Sequence, residues 1–348
     1  MKEKVIVGFS GGIDSFFASL ILKEQGFNVL PVYFKLFPDA DVDKVRKKAS
    51  LLNLSLTVLD LSKEFREVVI ERFIDYYKKG LTPNPCVLCN REIKIKYLEL
   101  IRKEVKASYI ATGHYAKIEY FSQWNRKLIK RGKDRKKEQS YFLSMVRSED
   151  LKYLLLPLGD FKKEEVSQLI KDLGYEWEEK ESQDVCFIKS DYREFLKRFI
   201  PPLPGKFVLQ SGEVLGSYEY PYSYTVGQRK GLNIPYKYPL YVIKVLPYQR
   251  KIVVGKKEML YKEEVFVKDV EWHLLPDLVP NQEEISVQIR YRAKPVNIGK
   301  IEYLKNGIYC VKLRPKVEAP APGQVCAFYY NNLLMGGGEI IEPQGVGR

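Results

Sequence analysis

Two kinds of residue in this chain have the type and spacing to do chemistry: a serine–glycine loop near the amino terminus and three dispersed cysteines. The loop, Ser10-Gly11-Gly12-Ile13-Asp14-Ser15, follows the apolar run Val5 to Phe9 and precedes Phe16, Phe17, Leu20 and Ile21 at helical spacing. Strand, glycine turn and helix start together aim backbone N–H groups and a positive helix end at an anion. An ordinary strand-to-helix turn would look much the same. The Walker-type loop and the dinucleotide fingerprint are both absent, since neither Gly-Lys-Ser/Thr nor a third spaced glycine occurs. Cys86 and Cys89 form a Cys-x-x-Cys after Pro83 and Pro85, which predicts a stiff loop entering a helix. A thiol at a helix start has a depressed pKa and is partly thiolate near neutrality. Half a zinc site is the rival, but no second Cys-x-x-Cys or His pair follows. Cys186 lies between acidic residues and a short apolar run, where inert burial is the competing reading; Cys310 and Cys326 read as structural.

The elements that must position these groups can be read in outline. Val29 to Phe34 and Leu54 to Leu61 have strand character, Asp41 to Leu52 and Glu64 to Lys79 helical character, and a helix is expected from about Arg91 to Val105. This alternation predicts an α/β fold, a doubly wound parallel sheet with ligands at the carboxyl ends of its strands. Phe34, ending the second strand, is then either an adenine contact or a core aromatic. Tyr109 to Thr112 is a further strand leading into Gly113 and His114. Residues 119–137 are charged and aperiodic and read as a hairpin or mobile loop over the site, and Glu138 to Leu143 as the opening of a helix. Beyond Pro201-Pro-Leu-Pro-Gly205 the helical signals give way to strand-length segments, which predicts two small β-rich domains: 1–203, 204–265 and 266–348. Arg229 and Lys230 beside glycines suit phosphate contact. If 288–294 is a strand, Gln288, Arg290, Arg292 and Lys294 share one face as a basic stripe.

At 348 residues with a formal charge of +14, the chain can bury a sizeable core and favours a polyanionic partner, nucleic acid first. A solvated thermophile surface is the rival explanation of the charge. The absence of a signal pattern or a long apolar run predicts a soluble, cytoplasmic protein with no membrane partner.

The loop Ser10–Ser15 resembles the pyrophosphate loop of the N-type ATP pyrophosphatases, which cleave ATP between its α and β phosphates. Together with Asn84-Pro-Cys-Val-Leu-Cys-Asn90, Ala111-Thr-Gly-His-Tyr-Ala116, Gln139–Leu143, Ser182-Gln-Asp-Val-Cys-Phe-Ile188, Tyr224–Leu232, Arg290-Tyr-Arg292, Pro320–Gln324 and Gly336–Gly338, the ordered series resembles the tRNA-specific 2-thiouridylase family over nearly the whole chain. The resemblance implies a pyrophosphatase domain, a small central domain and a carboxy-terminal β-barrel. It also implies ATP-dependent replacement of the C2 oxygen of the wobble uridine by sulfur, releasing AMP and pyrophosphate. By match, Gly8, Phe9, Ser10, Gly11, Gly12, Ile13, Asp14 and Ser15 hold ATP with Mg²⁺, and Phe34 and Gly113 hold the adenosine. Cys186 carries a persulfide supplied by a cysteine desulfurase or relay protein, and Cys89 is the nucleophile, leaving a Cys89–Cys186 disulfide for thiol reductant to reset. Asn84, Pro85, Cys86 and His114 are matched to the target base. Lys137, Glu138, Gln139, Arg290, Tyr291 and Gln324 are matched to the surrounding RNA, an anticodon loop of Glu, Gln or Lys type.

The chain departs from the family pattern in places. Phe34 replaces the usual methionine, Cys86 stands where some members carry aspartate, Glu138 replaces aspartate, and 216–220 lacks the usual histidine and second glycine. Three rivals remain at this level. An iron–sulfur cluster on Cys86, Cys89 and Cys186 could deliver the sulfur. The loop could serve amidation, which needs no separated thiols, or the chain could be a basic RNA-binding protein without catalysis.

Overall fold

The computed structural model describes residues 2–177, 185–189 and 191–342. The segment Ser182–Asp184 of the Cys186 motif lies outside the described residues.

The amino-terminal part is built on a five-stranded parallel sheet of order β3-β2-β1-β4-β7, from β1 (Lys4–Gly8), β2 (Asn28–Lys35), β3 (Thr57–Asp60), β4 (Tyr109–Ala111) and β7 (Leu154–Leu155). Strand β1 lies at its centre because it is apolar on both faces. Val5 and Val7 pack with Leu22 and Val29 on one side, and Ile6 packs with Ile95, Leu98 and Ile110 on the other. The first helix, α1 (Ile13–Glu24), and the second, α2 (Val42–Ser50), follow β1 and β2. This is the doubly wound α/β sheet that the sequence alternation predicts.

Two longer helices, 62–78 and 85–104, are each interrupted by a π-helical stretch, Arg66–Ile70 and Asn90–Ile95. The first stretch packs on the start of the second helix, and Phe65, Val69, Cys89 and Ile93 share one buried cluster. A π turn inserts a residue into a helix and rotates everything after it, and such insertions concentrate at functional sites.

The segment 119–137 is a hairpin of β5 (Ala116–Phe121) and β6 (Arg126–Arg131), not a loop over the site. It leaves the parallel sheet and pairs with the last strand of the chain, Leu333 opposite Lys130. Its alternating Leu128 and Ile129 are both fully buried, so each face of β6 is covered and neither could stay in water. After it comes a single 3-10 turn, Ser140–Leu143, in place of the expected helix opening.

A four-stranded sheet follows, of order β10-β11-β8-β9, with β8 (Gly205–Val208), β9 (Val214–Tyr218), β10 (Tyr241–Leu246) and β11 (Lys251–Gly255). The carboxy-terminal strands β12 (Tyr261–Trp272), β13 (Ile285–Gln288), β14 (Val296–Tyr303), β15 (Tyr309–Glu318), β16 (Val325–Tyr330) and β17 (Leu333–Ile341) run antiparallel. Because β12 also pairs with β17, they close into a barrel, which removes the open edges a sheet of this length would expose. Strand β13 stops at Gln288, and residues 289–293 form a bend and turn, so the basic stripe of alternating residues 288–294 does not form.

Candidate active site

The serine–glycine loop leaves β1 where the strand order reverses between β1 and β4, the crevice in which sheets of this type bind ligands. Gly11 adopts a positive φ of 76°, and Ser15 closes the turn by donating to the Gly12 carbonyl at 2.9 Å and accepting the Ser10 N–H at 3.1 Å. Ile13, Phe16 and Phe17 bury the inner face of α1. No side chain caps α1 at Gly12, so its first amides are left for an incoming anion. Gly113, after β4, packs backbone to backbone on this turn. A Cβ there would lie 2.9 Å from the Asp14 carbonyl carbon and oxygen and 3.0 Å from the Ser15 nitrogen. Phe34, next to last in β2, is half-buried, edge-on to Tyr97 at 6.5 Å, and packs on the core.

Asp14 is held by two partners that the sequence does not reveal. Lys163 reaches its Oδ1 at 2.5 Å, and the Tyr115 hydroxyl donates to the same oxygen at 2.7 Å. Lys163 is the first residue of the helix Lys163–Asp172, some 150 positions away in sequence. Burial, then the Asp14 charge, pushes the Tyr115 phenol far up, so it stays a donor.

Cys86 and Cys89 lie in a helix that starts at Pro85 with Asn84 as its cap, rather than on a loop before one. This reverses the expected thiol chemistry. Cys89 is buried among Phe65, Val69 and Ile93, and burial pushes its pKa up to about 12, with Lys94 pulling the other way. The helix start is too far and too shielded to offset the lost solvation. Cys186 stands 97 residues further along the chain, yet it lies within electrostatic reach of Cys89, as does Cys86. Phe187 anchors it by stacking edge-on to Phe65 and Phe73 at 5.9 and 5.2 Å. Although Cys186 as a residue is exposed, desolvation of its thiol raises its pKa, again opposed by Lys94. Lys94 also acts on His114, whose pKa burial lowers to about 3, so the imidazole is neutral and hydrogen-bonded to Thr112 at 2.8 Å. In a regular α-helix Lys94 would point away from Cys89, but the π stretch brings positions five apart onto one face. No salt bridge neutralises Lys94 among the described residues. Sequence reasoning missed it because a π insertion leaves no local signature.

The groups matched to RNA divide into two sets. Asn84 Oδ1 accepts the Val87 N–H at 3.3 Å as helix cap, and Pro85 is buried. Gln324 donates to the carbonyls of Thr82 and Pro83, both at 3.1 Å, so the barrel clamps the entry to the cysteine helix. Glu138, expected at the RNA face, is instead buried. It pairs with Arg131 at 3.0 Å and accepts the Ser140 N–H at 2.6 Å, because the hairpin docks on the barrel at that point. Gln139 Oε1 accepts the Tyr115 N–H at 3.0 Å. Lys137 and Arg290 are exposed, and Tyr291 lies against Phe142 at 4.3 Å. A cleft of about 470 Å³ opens beside Asn84 between the cysteine helix and the barrel, with Leu88 and Arg91 on one side and Val270 and Glu339 on the other. A second one of about 570 Å³ lies along the loop 229–240 that precedes β10, lined by Arg229 but by none of the groups at the serine–glycine loop or the cysteines.

Among the described residues no three His, Cys, Asp or Glu side chains gather so as to hold a metal ion. Cys86, Cys89 and Cys186 are all described, so an iron–sulfur cluster on them is without support. Asp14 offers one carboxylate, which is what Mg²⁺ commonly takes from a protein when phosphates and water complete its shell.

Three domain models match in succession: a tRNA methyl transferase HUP domain over residues 3–190, a tRNA methyl transferase PRC-barrel domain over 193–256, and an aminomethyltransferase β-barrel domain over 262–340. A protein of Aquifex aeolicus named tRNA-specific 2-thiouridylase MnmA is 40% identical, covering 97% of this chain and 99% of that one. One of the same name from Caldicellulosiruptor saccharolyticus is 37% identical over 98% of this chain and 99% of its own. A third, from Clostridium tetani, is 38% identical over 98% and 97%. With three domain models matched in succession and relatives of up to 40% identity matched over nearly its full length, this chain belongs to the tRNA-specific 2-thiouridylase family.

Proposed function

We propose that this protein is an ATP-dependent tRNA sulfurtransferase that converts the wobble uridine of its tRNA to 2-thiouridine. The observation that carries the reading is that Cys186 comes within electrostatic reach of Cys89, as does Cys86, in a chain that also carries an uncapped glycine turn at a helix start. Gly8 to Ser15 binds the leaving phosphates of ATP, with Lys163 adding a positive charge beside Asp14. Phe34 and the backbone at Gly113 border the adenosine. When bound, Mg²⁺ held at Asp14 would offset phosphate charge.

The uracil O2 is a poor leaving group, so it attacks the α-phosphorus and pyrophosphate leaves. The terminal sulfur of a Cys186 persulfide then attacks C2 and AMP departs. Cys89 attacks Sγ of Cys186, forming the Cys89–Cys186 disulfide and leaving the transferred sulfur on C2. Alternatively, Cys89 first releases that sulfur as hydrosulfide, which attacks C2. Both routes end in the same disulfide, and two equivalents of thiol restore the cysteines. Lys94 lowers the cost of the thiolates that these steps require.

Lys137, Arg290 and Tyr291 offer exposed or half-exposed groups to RNA, and Asn84, Cys86 and His114 border the space for the target base. Tyrosine stacking and phosphate contact are the ordinary means of gripping a single-stranded loop. The sulfur donor is a cysteine desulfurase or relay protein, and the preferred tRNAs are of Glu, Gln and Lys type. The cytoplasm is where that substrate is found, and no described helix is long and apolar enough to cross a membrane. The names of the domain models speak of methyl transfer, but that chemistry needs neither pyrophosphate release nor a paired thiol.

Mass spectrometry of nucleosides tests the reading. Unmodified Glu or Lys tRNA, incubated with protein, Mg-ATP, a persulfide donor and reductant, is expected to gain 2-thiouridine. Cys186→Ser and Cys89→Ser should each abolish it. No 2-thiouridine with the wild-type chain would sink the proposal.

A further inference from the structure

The segment from Gly132 to Gln139 joins the hairpin to the 3-10 turn, and its bonds run in two directions. Lys136 and Lys137 are exposed on the face proposed for RNA. Asp134, between them and the nucleotide loop, is buried. Its Oδ1 accepts the backbone N–H groups of Lys136 at 2.9 Å and Lys137 at 3.2 Å, and its Oδ2 accepts that of Lys163 at 2.9 Å. Lys163 in turn reaches Asp14 at 2.5 Å. A second route runs beside the first. Gln139 and Tyr115 exchange two hydrogen bonds, both of 3.0 Å, and the Tyr115 hydroxyl donates to Asp14 at 2.7 Å. The segment that carries exposed lysines is therefore bonded, at both ends, to residues that touch the acid of the nucleotide loop.

We infer that Asp134 is a positioning residue that couples tRNA binding at 136–139 to Lys163 and Asp14, so that tRNA and ATP each tighten the binding of the other. The inference rests on the tRNA sulfurtransferase reading. Phosphates of the RNA on Lys136 and Lys137 restrict the segment and fix the Asp134 carboxylate, which fixes the backbone from which Lys163 extends. The nucleotide then meets a loop that is already ordered, and whichever ligand binds first bears most of the entropy cost. Linkage requires the two effects to be equal. A carboxylate is needed at this point because three N–H donors converge on it. Asparagine has the same shape but one acceptor oxygen, its other terminal atom being a donor. It can hold the lysine pair or Lys163, but not both.

The test uses the full chain and Asp134→Asn. ATP affinity is measured with and without saturating tRNA transcript bearing a wobble uridine, and tRNA affinity with and without a non-hydrolysable ATP analogue. In the wild type each ligand is expected to tighten the other at least about fivefold, the lower end of ordinary coupling. In Asp134→Asn that factor should fall to within about twofold of unity while both ligands still bind singly. A merely structural role would weaken the two affinities or the Tm and leave their ratio alone. A wild type without coupling, or a variant that keeps it, overturns the inference.

Should the variant fail to fold, hydrogen exchange on the wild type decides the matter. The amides of Lys136, Lys137 and Lys163 should all slow with tRNA alone and with nucleotide alone. Protection by each ligand on its own side only would refute the link. A wild type that binds neither ligand would sink the functional reading itself, and the inference with it.

Discussion

The thiol of Cys89 should be unreactive in the free protein, and Lys94 should govern how unreactive. Burial raises its pKa from 9.0 to about 12, while an ordinary cysteine at pH 8 is roughly a tenth ionised. At the same pH Cys89 would be ionised in about one molecule in 10⁴, a deficit of about 10³ in the reactive form. Iodoacetamide labelling, followed by peptide mass spectrometry in a Cys86→Ser background, reads this directly. The rate at Cys89 should rise about tenfold per pH unit from 7 to 10 without levelling, because the group is still far from half-ionised. Lys94 opposes the shift at both Cys89 and Cys186, so Lys94→Met should slow labelling of both and move the Cys186 profile to higher pH. Lys94→Arg keeps the charge and should restore much of the rate. An inflection at Cys89 between pH 6 and 8 would refute the argument, because it would mean that the helix start outweighs desolvation.

Further expectations follow from the geometry at the nucleotide loop and the domain contact. Gly113→Ala forces a Cβ to within 2.9 Å of the Asp14 backbone, and a displacement of about 1 Å there should reduce pyrophosphate release about 10²-fold, measured by a coupled phosphate assay. An unchanged rate would show that the loop yields freely. Lys163→Met removes the cation beside Asp14 and should lower pyrophosphate release with little change in tRNA affinity, as read by filter binding. Gln324→Ala removes two hydrogen bonds of 3.1 Å to the 82–83 carbonyls, which should cost about 1–3 kcal/mol in urea unfolding. The same change should loosen the cysteine helix, seen as faster proteolysis near residue 82.

What could be read without the fold was whatever local dihedrals and side-chain type decide. Apolar runs and glycines at short spacing declare strand, turn and helix start, so the parallel sheet, the loop Gly8–Ser15 and the β-rich remainder were all legible. The motifs that hold Cys86, Cys89 and Cys186 are short and ordered, so these residues could be singled out as candidates. Their chemistry was not legible. Cys89 was expected to be acidic because it stands near a helix start, but its pKa depends on Phe65, Val69 and Phe187 packing over it from distant segments. Lys94 depends on a π insertion, a deformation imposed by helix packing and carried by no residue in particular.

The same divide explains Glu138, Gln139 and Gln324. Their match to the family pattern implied RNA contact, and it is the docking of the hairpin and the barrel that turns each inward to a partner. Lys163 and Asp134 had no local signal at all; only the path of the chain brings them to Asp14. By itself, then, the sequence determined most of the elements, the order of the domains and the candidates for the chemistry, because these depend on interactions within a few positions. The tertiary structure alone decided which of those residues are charged, buried or joined, because solvation and hydrogen bonding depend on neighbours that folding brings from far along the chain.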